Sequence, residues 1–158
     1  MAEFKIIREL ALDATVGVII TDTTILSPGP IVLYANEAFG RLVGRDLPDI
    51  TGRNPRIMQG KETRRSTLDT FHRALMVGER FHGYLTNYRE DGTKYRVEID
   101  CRPLRAANGH VENGVAFERE VNRRIGRPSS AAGRYEPANV INNLLTSRLH
   151  GLGLFKHA

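Results

Sequence analysis

The chain has 158 residues, 41% of them hydrophobic and 26% charged, which suits one soluble globular domain and leaves little for a second. Its start, MAEFKIIREL, carries Glu3 and Glu9 without a long apolar run, and no stretch approaches the roughly 18 apolar residues of a membrane helix, so a cytoplasmic protein without membrane contact is expected. A single cysteine, Cys101, excludes an internal disulfide or a cysteine-based metal cluster, and the five histidines (His72, His82, His110, His150, His157) lack zinc-site spacing, so no metal is expected.

In chain order, Phe4, Ile7, Leu10 and Ala11 are spaced as the apolar side of a short helix capping the amino terminus over residues 1–14. VGVIIT (16–21) is β-branched and continuous, as in a buried strand, and a Pro- and Gly-rich turn leads to a second strand at 31–35. Asn36 is a good N-cap for a short helix running to Val43. Pro48, Gly52 and Pro55 allow only single helical turns before a longer helix over 61–77, whose apolar side is Leu68, Phe71, Ala74 and Leu75 and which Gly78 stops.

Three alternating strands follow. The first, 81–88, sets Phe81, Gly83 and Leu85 against Tyr84 and Thr86, and Asp91-Gly92 turns it into 94–104, with Tyr95, Val97, Ile99 and Cys101 on one side. Asn108-Gly109 turns again into the last strand at 115–121. The order predicts an α+β fold: a five-stranded antiparallel sheet with short helices and one longer helix on one face, enclosing a ligand or a plug of its own side chains.

Arg123, Arg124, Arg127 and Arg134 lie among Gly, Pro and Ser, so 123–136 reads as a flexible basic linker. A tether is the plainer account; contact with nucleic acid is the sharper one and is not expected. Over 137–158, Pro137 stands near the start of an amphipathic helix with Val140, Ile141, Leu144, Leu145 and Leu149 along one side, which suits a homodimer or a protein partner.

GRNPRIMQG (52–60) resembles the flavin-binding signature of LOV domains, the blue-light branch of the PAS family, whose usual form has cysteine where Pro55 stands. IVLYANEAF (31–39) and NYREDGTKY (87–95) are similar to two further LOV segments in the right order, so the resemblance covers roughly 16–121 and delimits a PAS, LOV-like domain at 15–122. It implies a sensory or regulatory domain in signal transduction. Proline has neither thiol nor N–H, so the cysteinyl-flavin chemistry of the family is not expected, and Cys101 reads as a small core residue.

The resemblance further implies cofactor-binding positions. Asn54 and Gln59 match residues that hydrogen-bond the flavin, Arg56 one that pairs with its phosphate, and Asn87 the first of two pyrimidine-binding asparagines. His72 stands where a second phosphate-pairing arginine is usual, Val97 replaces the second asparagine, and Glu118 replaces a glutamine. Leaving flavin atoms unpaired costs about 1–3 kcal/mol each, and two or three such losses amount to about two to four decades of affinity. The cofactor is therefore left open, with FMN the alternative to a pocket that binds something else or nothing. His72 also stands on the long helix, where haem-binding PAS sensors carry their axial histidine, but a lone helix histidine does not make haem expected. No nucleophile and base pair, phosphate loop or paired carboxylate suggests an enzyme.

Overall fold

The structure, a computed structural model, describes residues 11, 16–24, 29–126, 133–138 and 153–155. Apart from Ala11, the expected cap helix lies outside them, as does nearly all of the expected carboxyl-terminal helix. Among the described residues no helix is long and apolar enough to cross a membrane.

Strands β1 (Gly17–Thr21), β2 (Val32–Ala35), β3 (Phe81–Tyr88), β4 (Lys94–Arg105) and β5 (Val111–Arg123) form one antiparallel sheet in the order β2-β1-β5-β4-β3. Helices α1 (Glu37–Val43), α2 (Leu47–Ile50) and α3 (Arg65–Val77), with a 3-10 turn at Pro55–Met58, fall between β2 and β3. This is the α+β arrangement expected, with longer fourth and fifth strands and a long helix that starts at Arg65 instead of Lys61. The delay has a local cause: the Thr63 hydroxyl donates to the Thr86 carbonyl at 2.6 Å and accepts from the Gly60 amide, which holds residues 60–63 as a turn against β3.

The apolar alternation places Ile19, Val97, Ile99, Cys101 and Ala116 on the inner face of the sheet, beneath Phe39, Val43, Ile50 and Met58. The expected apolar side of α3 packs against that cluster half-buried. Gly17 lets α1 approach closely, since a Cβ there would lie 3.2 Å from the Phe39 Cα and 3.1 Å from the Glu118 carbonyl oxygen. Asn36 exceeds its expected capping role. It is 2% exposed, its Oδ1 accepts from the amides of Phe39 and Val18, and its Nδ2 donates to the carbonyls of Ala11 and Val16. One side chain thus starts α1 and ties it to β1 and the chain before it.

The segment read as a linker and helix start is corrected where it is described. Arg123 is the last residue of β5, and a sixth strand, β6 (Tyr135–Pro137), pairs antiparallel with Val121–Arg123. Arg124 pairs with Glu136 at 2.9 Å. Pro137 closes this strand instead of opening a helix. A proline needs no ladder donor at a strand end, and the next amide, that of Ala138, donates to the Glu120 carbonyl.

Candidate functional site

A cavity of about 320 Å³ opens between the 3-10 turn, α3 and the inner face of β1, β4 and β5. That is within the range of small-ligand pockets. Asn54, Arg56, Gln59, His72 and Glu118 all border it, so the fold gathers five of the six residues singled out in the sequence. Asn54 and Gln59 bracket the 3-10 turn, with the Asn54 Oδ1 accepting from the Arg56 amide at 2.8 Å. Arg56 and His72 are exposed and stand at the mouth, together with the Arg65–Asp69 ion pair.

The sixth residue, Asn87, does not border the cavity. It is 3% exposed on β3 opposite Tyr95, and its Oδ1 has no hydrogen-bond partner. Cys101 does border the cavity, 4% exposed, and so is both the core residue expected and a wall of the pocket. The alternation that sets Cys101 beside Val97 and Ile99 was the signal for this.

Glu118 is the chemically distinctive group. It is 4% exposed on the inner side of β5, its Oε2 has no hydrogen-bond partner, and burial pushes its pKa up to about 8. At neutral pH the neutral acid therefore prevails, and it can donate a hydrogen bond into the cavity. Burial first, and then the charges of Glu118 and Asp100, push the Cys101 thiol up to about 12, so it stays protonated and is a poor nucleophile.

For FMN, the group the resemblance implies, the fit is incomplete. The mouth offers cations and the interior offers Gln59 and a neutral carboxyl, but Asn87 lies outside the cavity and Val97, fully buried on the inner face, has no polar atom. The pyrimidine side of a flavin would lack its partners.

The opposite face of the sheet carries polar residues that the sequence reading passed over. Glu98 and Asp100 point away from the cavity, yet they are 3% and 0% exposed. Asp100 accepts from Arg80 (3.0 and 2.9 Å), from Arg102 and from the Phe155 amide at 2.7 Å. Arg102 also donates to the Gly153 carbonyl. Burial would raise the Asp100 pKa, but these donors hold it down to about 2. Glu98 accepts from Arg119 at 2.7 Å and Tyr84 at 3.0 Å, with His82 also at 3.0 Å; burial would raise its pKa, but these partners keep it below the usual carboxylate value. The Arg119 guanidinium lies 4.2 Å from the centre of the Phe155 ring.

A mixed arrangement of this kind, with a cavity between helices and an antiparallel sheet, defines the class. The family model described as "PAS domain" matches residues 15–123, and the chain belongs to that family. It is 28% identical over 147 residues to the bacterioopsin transcriptional activator of Halobacterium salinarum, covering 92% of this chain and 21% of that protein. It is 32% identical over 91 residues to a nitrogen fixation regulatory protein of Klebsiella oxytoca, covering 58% and 18% respectively. Among solved structures, an RNA-binding light-oxygen-voltage receptor superposes with a TM-score of 0.66 at 27% identity, covering 73% of this chain and 32% of that one. The domain is thus a LOV-like PAS domain akin to sensory domains of signal transduction, and it spans about a fifth of the length of the curated relatives it matches.

Proposed function

We propose that this domain is a non-catalytic sensor whose output passes through protein contacts, in partnership with a second copy or another signalling protein, and that it works without thioether chemistry at position 55. One observation carries this reading: β5 points Glu118 into the cavity and the next residue, Arg119, into the ion network beneath Phe155. A ligand that removes the Glu118 proton, or one that accepts its hydrogen bond and so keeps it neutral, sets the charge one residue away from the groups holding 153–155. The test is amide exchange at Phe155 across the pH range in which Glu118 titrates. A protection factor at Phe155, corrected for the intrinsic rise of exchange with pH, that falls above about pH 8 in the wild type and not in Glu118→Gln is expected; identical protection profiles would sink the reading.

FMN binding without adduct formation is the second reading, favoured by Asn54, Arg56 and Gln59 around one cavity. A yellow protein retaining flavin on gel filtration would establish it. Val97→Asn, which restores an amide on the inner face, is expected to tighten FMN binding about tenfold. Blue-light bleaching with thermal recovery that is abolished in Cys101→Ser would reveal a thioether at the chain's single thiol and overturn this second reading as stated.

A further inference from the structure

A second, open groove of about 810 Å³ lies on the far side of α3 from the cavity. One bank is the start of α3, with Arg64, Ser66, Thr67 and Thr70; the floor is the first half of β3; the other bank is the β5–β6 hairpin, with Arg123, Arg134 and Tyr135. Arg96 also lines it, and no acidic residue does. Among the described residues Arg64, Arg123 and Arg134 have no carboxylate partner, whereas nearby acids are engaged elsewhere: Glu98 with Arg119, Glu136 with Arg124, Asp69 with Arg65.

The floor is a sheet edge, because β3 is the terminal strand and pairs only with β4. Its direction can be counted. The Arg89 amide donates to the Thr93 carbonyl at the hairpin end, so alternate residues Asn87 and Leu85 bond to β4, while Thr86 and Tyr84 point outward. Thr63 caps the Thr86 carbonyl, but the Tyr84 N–H and C=O face the groove. We propose that this groove docks an extended acidic segment of a partner protein, adding a short strand at Tyr84 with carboxylates on Arg64, Arg123 and Arg134.

A single-stranded nucleic acid would match the charge but needs open aromatic faces. Those in the groove are taken: Tyr135 stacks on Tyr84 at 4.5 Å, and Arg96 lies 5.3 Å from the Tyr135 ring. The extended peptide is the better match to an edge strand between cationic banks. This inference rests on the proposed output through protein contacts but not on what fills the cavity.

The test is a titration of the whole chain, at low salt, with a fluorescein-labelled peptide of alternating Glu and Val, read by anisotropy. Saturable binding, weakened at least about tenfold in Arg64→Glu/Arg134→Glu and in the milder Arg64→Ala/Arg134→Ala but not in Arg41→Glu on α1, together with slowed exchange of the Tyr84 amide, is expected. No binding to the wild type, equal loss in Arg41→Glu, tighter binding of an oligouridylate through the same arginines, or a groove filled by a second copy in sedimentation would each overturn it. The cavity experiments above read a different site, so either proposal can fail alone.

Discussion

The two faces of this sheet bury carboxyl groups in opposite ways. On the inner face Glu118 sits in an apolar cavity with an oxygen left unpartnered, and it responds by holding its proton. On the outer face Asp100, also closed off from solvent, keeps its charge because Arg80, Arg102 and the Phe155 amide surround it. Burial alone therefore decides nothing; the donors within reach do. The cavity side stays poised for a ligand, and the outer side is already satisfied by the chain's own groups.

The largest expected effect comes from breaking the satisfied side. Asp100→Ala would leave two half-buried guanidinium groups and a buried amide without their acceptor, and chemical denaturation should show a loss of about 4 kcal/mol. In the wild type this contribution is present above the unfolded Asp pKa and is lost as pH falls from about 4 towards 2, so acid unfolding should begin there and Asp100→Asn should flatten it. Phe155→Ala, removing a ring that is 1% exposed over Arg119, should cost about 3 kcal/mol.

Glu118 carries the opposite sign. Its folded pKa lies above its unfolded one, so its folded state binds the extra proton and stability falls as pH rises from about 4.5 to about 8. Glu118→Gln, which cannot ionise, should match the wild type near pH 4 and be the more stable of the two at pH 9, as read by thermal melts. The smallest effect is expected at Glu98→Gln, where the amide oxygen still accepts from Arg119 and the amide N–H can donate to the Tyr84 oxygen: about 1–2 kcal/mol, enough to show that the outer network is held by charge as well as shape.

Much of the inner face was legible because a period of two needs no knowledge of neighbours. Val97, Ile99 and Cys101 had to share a side, and Leu68, Phe71, Ala74 and Leu75 had to meet them. The candidate site was legible for the same reason, since a motif and a strand position place Asn54, Gln59 and Glu118 around one cavity. The outer face was not. Glu98 and Asp100 alternate with apolar residues as a solvated side would, and only the cross-strand pairing of Glu98 with Arg119 and the return of Phe155 reveal that they are covered. β6 was hidden because three residues ending in proline carry no periodicity, and the place of Asn87 off the cavity wall was hidden because a motif says which strand a residue occupies but not where the wall ends.

The pairing of Ile99 with Glu118 and of Glu98 with Arg119 makes β4 and β5 intolerant of any slip. Displacing β4 by a single position would send Asp100 and Glu98 into hydrocarbon and lift Ile99 and Cys101 into the arginine cluster, an exchange ruinous on both sides at once. The ionic face thereby helps to select one strand alignment out of those that backbone pairing alone would allow.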